Sequence, residues 1–220
     1  MTMNTQSARV PAIVATALIA TIILQILYMA LLGGPQPADP SVGMTNADIA
    51  RYFTERWGEV ALVWTLEAVA FVIIALGGLA QLRSSNQPLG WGALALFGVF
   101  NLVQIGIGLA LFKPVALAGE EATWMFWAIV GGAFAFYFIA KIFIGLAALV
   151  FGLALMARGG GTAARTAGGL AMFAGLAATI ANIGALGTGM GWLMPAGATG
   201  TLAALMVALS LAVLRRSEAA

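Results

Sequence analysis

Apolar residues in this chain run together in long stretches, not in the short clusters of a soluble fold. Such runs occupy 10–32, 59–82, 89–112, 133–157, 166–185 and 195–214, and an apolar helix needs about 20 residues to cross a hydrocarbon core. Polar or helix-breaking segments divide them: Pro35, Pro37 and Pro40 in the loop 33–58, the Ser84 to Pro88 turn, Lys113-Pro114, the glycines 159–161, and Gly187, Gly189 and Gly191. The pattern predicts an all-α integral membrane fold, a six-transmembrane-helix bundle forming a single domain over 1–220. Pro11 suits an early helical position, where its missing donor would be unpaired anyway. The first run is longer than a signal-peptide core, so it is read as a retained helix.

Periodicity changes inside the loop 33–58. Thr45 and Asp48 have the spacing of a capping box, and Ile49, Tyr52, Phe53 and Trp57 then share one face, with Arg51 and Glu55 spaced as an i,i+4 pair. A short outer amphipathic helix is expected, lying on the membrane surface or on top of the bundle; a plain extension into the second span is the alternative. The stretch 120–157 is too long for one ordinary span. Gly131-Gly132 divides it into a Trp-rich interfacial segment followed by a span from about 133, or marks a kink in one long helix.

Only 8% of side chains are charged and 62% are hydrophobic, against about a quarter charged in soluble domains. With neither cysteine nor histidine in the chain, disulfides, thiolate and imidazole metal sites, haem ligation and Ser-His or Cys-His catalysis lack their parts. No cofactor is expected, and the net charge of +2 carries no nucleic-acid signal. The glycines at 159–161 do not make a phosphate loop, since no Lys-Ser/Thr follows at the required spacing.

The charges instead speak to orientation. Six spans place Arg9, Arg83, Arg158, Arg165, Arg215 and Arg216 on one side, and Arg51, Arg56 and Lys113 on the other with most carboxylates. The positive-inside rule makes the first side cytoplasmic, with N and C termini both in. Trp57, Trp124, Trp127 and Trp192 then fall at the outer interface and Trp91 at the inner one, where indoles prefer to lie.

Two charges remain deep in apolar runs. Glu67 lies 16 positions before Arg83 and Lys141 lies 17 before Arg158, so both stand about 24 to 26 Å above the inner charges at 1.5 Å per residue. The same count brings Gln25, Gln104, Asn182 and Thr199 near that level. Asn101 shares a face with Gln104, and Tyr137 is one turn from Lys141. Two readings are open: a sealed network built on a Glu67–Lys141 ion pair, or an outward-open polar pocket binding an ion, a proton or a lipid headgroup. Small residues, namely Gly145, Gly152, Ala171, Gly175, Gly106 and Ala110, are expected to let helices approach closely. Phe134, Phe136, Tyr137, Phe138 and Phe143 encircle their helix, so part of the set should face lipid or a partner.

From Asp48 to Gln104 the chain reads D-I-A-x-x-F, a Glu-containing helix ending in L-x-x-L-R, an Asn/Pro turn, then F-N-L-V-Q. This pattern resembles bacterial six-helix inner-membrane proteins grouped as a domain of unknown function. The resemblance implies the fold and a location in the bacterial inner membrane, and brings no catalytic residues. The functional expectation is a non-enzymatic polytopic protein, an accessory or assembly subunit or a binder of a small amphiphilic ligand, working in the lipid bilayer as a homo-oligomer or within a larger membrane complex. A small transporter or channel using the polar layer is the alternative, and an intramembrane lipid-modifying enzyme acting through Glu67 comes third.

Overall fold

A computed structural model describes residues 9–158 and 161–219, with side chains up to Leu214. Gly159 and Gly160, and the side chains of Arg215 and Arg216, lie outside the described residues. The long helices are α1 (Val10–Leu31), α3 (Trp57–Gln81), α4 (Pro88–Ile107), α6 (Thr123–Ala157), α7 (Thr162–Thr188) and α8 (Leu193–Ala219); α2 (Asn46–Glu55) and α5 (Lys113–Ala116) are short. Five helical stretches are long and apolar enough to cross a membrane. The last, Thr162–Leu214, doubles back at the 3-10 turn Gly189–Trp192, so α7 and α8 pack as an antiparallel pair. Gly189 enters that turn at φ +74°, a region glycine adopts without the Cβ penalty.

Helices α1, α3, α4, α6 and α8 close into a ring, each touching the next and α8 returning to α1, while α7 packs outside on α6 and α8. Glycines bring α6 and α7 together: a Cβ on Gly175 would stand 2.5 Å from the Gly145 carbonyl oxygen, and one on Gly152 would stand 2.7 Å from that of Gly168. Between membrane helices, where lipid is as apolar as leucine, such close backbone packing replaces the hydrophobic effect as the source of association. Ala171 serves a different seam, clustering with Ala174 and with Met206 of α8.

Several expectations are corrected. Gly106 and Ala110 are exposed, and the close approach of α3 and α4 is made by Gly78 and Gly98, whose Cβ atoms would each meet the opposite backbone at 2.7 Å. Lys113-Pro114 does not end the helix: Gly108–Phe112 forms a π-helical turn and the chain continues helically to Ala116. A proline inside an α-helix clashes with the carbonyl four residues before it, and the wider π turn carries that carbonyl aside. Gly131-Gly132 does not divide α6 into two elements, because two glycines cost only about 1 kcal/mol each against a long, otherwise favourable helix. Phe134, Phe136, Tyr137, Phe138 and Phe143 of α6 are all at least half-buried; Phe136 and Phe143 stack on Phe100 of α4, and Phe138 packs with Ala185 and Ala196.

At 35 residues, α6 is about 52 Å long, well beyond a hydrocarbon core of about 30 Å. Its first turns project at the end of the bundle that carries α2 and α5, where Phe126 meets Phe53 of α2 and Phe112. The apolar face of α2 is built into the core there, with Ile49, Tyr52 and Phe53 buried. Thus α2 sits on top of the bundle. Its capping box forms as the sequence predicts, but Arg51 turns back to Asp48 at 2.7 Å and does not pair with Glu55. The Asp48 carboxylate, already gathered at the N-terminus of α2, is the better partner at that end of the helix dipole.

Candidate functional site

Lys141 projects from the middle of α6 into the interior of the ring and is 1% exposed. Its stem lies against Gly200 of α8, where a Cβ would come within 2.5 Å of the lysine Cδ. That glycine is what lets a long side chain fit between α6 and α8. The ammonium donates to Gln25 Oε1 of α1 at 3.4 Å and sits 4.9 Å from the Tyr137 ring centroid and 5.8 Å from that of Phe97 on α4. Ring faces attract a cation electrostatically, and the attraction rises to about 2 kcal/mol when the pair is desolvated.

Glu67 of α3 is 6% exposed and faces the same interior, electrostatically coupled to Lys141 and to the Gln25 amide. The expected direct ion pair does not form. Among the described residues the contacts within 4.0 Å between opposite charges are Arg51–Asp48 and Arg56–Glu59. Gln25 stands between the two buried charges, and an amide can do so because it donates to a carboxylate through its nitrogen while accepting from an ammonium through its oxygen. One carboxylate oxygen, Glu67 Oε1, has no hydrogen-bond partner, and neither has Asn101 Oδ1 on α4.

The structure therefore brings Gln25, Glu67, Lys141 and Tyr137 together and draws the other predicted residues elsewhere. Asn182 is buried on α7, outside the ring, and donates to Ala178 O and Ala196 O, tying α7 to α8. Thr199 donates to Pro195 O and Ala196 O of its own helix. Gln104 is half-buried on α4 and makes no polar contact with the Lys141 group. Asn101 donates to Phe97 O one turn back on the same face. Equal height along the bundle is not equal azimuth, and the counting from arginines reads only height.

Sequence reasoning missed the layer above the charges. Trp64 lies one turn from Glu67 on α3; its ring packs on Tyr28, Trp57 and Phe112 and fills the space that Gly108 leaves open in the π turn of α4. Tyr28 of α1, one turn from Gln25, meets the hydroxyl of Tyr52 on α2 at 3.4 Å and lies within electrostatic range of Glu67. Arg56 holds the α2–α3 joint by bonding Glu59 and the Leu31 carbonyl at the end of α1. The signals available were Trp64 three positions before Glu67 and Tyr28 three after Gln25, the helical spacing of side chains on one face.

Access is narrow. An open apolar groove of about 660 Å³ runs between α1 and α3 past Ala12, Thr16, Ala20 and Leu66, and a small depression of about 80 Å³ lies between α6 and the end of α7. Neither is lined by Glu67 or Lys141. An open pocket at these charges would require the Tyr28, Trp64 and α2 layer to be displaced. Among the described residues no three side chains of the His, Cys, Asp or Glu type gather as metal donors. As it stands the arrangement offers a buried carboxylate, with one oxygen free of hydrogen bonds, near a buried ammonium. Comparison with protein-family models, with curated proteins and with solved structures finds no match to this chain.

Proposed function

We propose that this chain is a non-enzymatic six-pass protein of the bacterial inner membrane, with both termini cytoplasmic, that serves as an accessory or assembly subunit. The Glu67–Gln25–Lys141 network sets which helices are neighbours, and the outward faces of the bundle meet lipid and partner helices. The observation that carries this reading is the burial of both charges, 1% exposed for Lys141 and 6% for Glu67, with the lysine stem seated on Gly200. Neither the groove between α1 and α3 nor the depression beside α7 reaches them. Polar contacts of this kind add only about 0.6 to 2 kcal/mol between membrane helices, but they specify packing.

The apolar groove between α1 and α3 favours one second reading, a binder of a small amphiphile whose chain would lie along Ala12, Thr16 and Ala20. Transport is less well supported, because midplane breaks in two corresponding spans are its usual mark; among the described residues, α3, α6 and α7 run unbroken and the π turn lies near the end of α4. Purification in mild detergent followed by mass spectrometry of co-purifying species tests these readings. A stoichiometric protein partner is expected. A stoichiometric lipid or metabolite would move the assignment to the amphiphile binder, and the chain alone would sink both.

A further inference from the structure

The interior holds donors and acceptors that do not satisfy one another. Lys141 has three N–H donors, and one reaches Gln25 at a long 3.4 Å. Glu67 Oε1 and Asn101 Oδ1 are buried acceptors without donors. Asn101 lies one turn beyond Phe97, whose ring faces the ammonium, on the same face of α4. Leaving such groups unpaired in a low-dielectric interior is costly, whereas water molecules making about three hydrogen bonds each are the common remedy at buried polar sites. The groups around Glu67 are Gln25 and Tyr28 from α1 and Lys141 and Tyr137 from α6; Asn101 of α4 stands one turn from Phe97, and Tyr52 of α2 continues the line from Tyr28.

We propose that Glu67, Lys141 and Asn101 enclose a small hydrated proton-binding site, and that Glu67 exchanges its proton with the α2 end of the bundle along Tyr28 and Tyr52. The inference goes beyond the subunit role and does not depend on any partner. Tyr28 is one turn from Gln25, is electrostatically coupled to Glu67, and its hydroxyl stands 3.4 Å from that of Tyr52, so the two hydroxyls lead from the α1 side of the site to α2. In the release step the carboxyl O–H proton passes through water to the Tyr28 oxygen as the Tyr28 proton passes to Tyr52 and on to solvent. The water, Tyr28 and Tyr52 oxygens each break one O–H bond and form another, the Glu67 carboxyl only loses its proton, solvent water takes up the proton released at Tyr52, and Glu67 is left as a carboxylate facing Lys141. Lys141 supplies the countercharge that makes the ionised state tolerable, and Gln25, between the two, keeps them from collapsing into a direct pair that would exclude water. Packing by Trp64 and α2 excludes larger solutes from the same route.

Infrared spectroscopy of the purified full chain, in detergent or nanodiscs, reads the site through the carbonyl stretch of a protonated carboxylic acid. The wild-type protein is expected to show such a band that titrates reversibly and shifts in deuterium oxide, and Glu67→Gln is expected to remove it. Tyr28→Phe, which keeps the ring against Trp64 and removes only the hydroxyl, is expected to slow deuterium exchange at this band by about a hundredfold, the low end of what a positioned proton-transfer group contributes. Tyr52→Phe should slow it less, since it removes the outer hydroxyl alone, and Thr188→Val, which removes an exposed hydroxyl at the end of α7 outside the ring, should leave the rate unchanged. The proposal is overturned if no titrating band exists at any pH where the protein stays folded, if the band survives Glu67→Gln, or if Tyr28→Phe exchanges as fast as wild type. Equal slowing by Tyr28→Phe and Thr188→Val would likewise overturn the route.

Discussion

Asp48 and Glu67 are both carboxylates with almost no exposed surface, 4% and 6%, yet their surroundings are opposite. Asp48, at the end of the bundle, accepts four hydrogen bonds: from the Thr45 hydroxyl at 2.6 Å, the Thr45 amide at 3.1 Å, the Ala38 amide at 3.1 Å and Arg51 at 2.7 Å. It ties the proline-containing loop to the first turn of α2. Glu67, inside the ring, has one orphaned oxygen and an amide between itself and its countercharge. A fully satisfied carboxylate is a structural fastener, since any change in its protonation breaks bonds. An under-satisfied one can change state with little rearrangement around it, so the chemistry belongs at Glu67.

The largest effect should come from uncoupling the Glu67 side. Lys141→Met leaves a buried carboxylate without its countercharge and is expected to cost about 3–5 kcal/mol, as when one partner of a buried pair is removed. The Glu67→Gln, Lys141→Met double variant should regain most of that loss, because no uncompensated charge remains. Unfolding in a graded denaturing detergent measures both; a double variant no more stable than the single would mean the two charges are not coupled.

A smaller loss is expected from Gly200→Ala, since the new methyl would lie 2.5 Å from Lys141 Cδ and overpacking costs about 1–3 kcal/mol. It should also disturb the Gln25 contact by moving the lysine stem. An alanine at 200 that left stability untouched would show that the stem is not seated there, and would weaken the contrast between the two carboxylates.

The mildest test is acid titration at the Asp48 end. Hydrogen bonds from the Thr45 side chain and backbone, then from Ala38 and Arg51, hold the Asp48 carboxyl down to about 2, against about 3.9 for an unperturbed aspartate. Because the folded value is the lower one, the stabilisation is present above the unfolded value and is lost as pH falls through about 2. Thermal unfolding across that acid range should show the loss in the wild type, and Asp48→Asn should flatten it while exposing the loop 33–45 to faster proteolysis. An unchanged acid slope in Asp48→Asn would remove Asp48 from the role of fastener.

The readable parts of this chain were those set by local physics. Runs of apolar residues mark the long helices because a helix is the structure that satisfies its own backbone in an apolar medium. Thr45 and Asp48 mark the start of α2 through a capping box that needs only three residues of separation. Height was readable too, which is why Gln25, Glu67 and Lys141 could be grouped before their contacts were known. Azimuth was not: Asn182 and Thr199 share the level but turn to the α7–α8 pair and to their own helix. The hydrophobic period is weak when nearly every face is apolar, so no stripe says which side of a helix looks inward.

By itself, then, the sequence determined a helical chain with membrane-length apolar segments, a capped amphipathic piece between the first two, and two charges deep in apolar surroundings, because composition, helix rise and capping act within a few residues. Only the tertiary structure decided that Gln25 separates those charges, that Gly200 makes room for the lysine, and that Tyr28, Trp64 and α2 cover them. Each of these depends on which helices meet and at what rotation, and that is settled by side-chain fit between segments far apart in the chain.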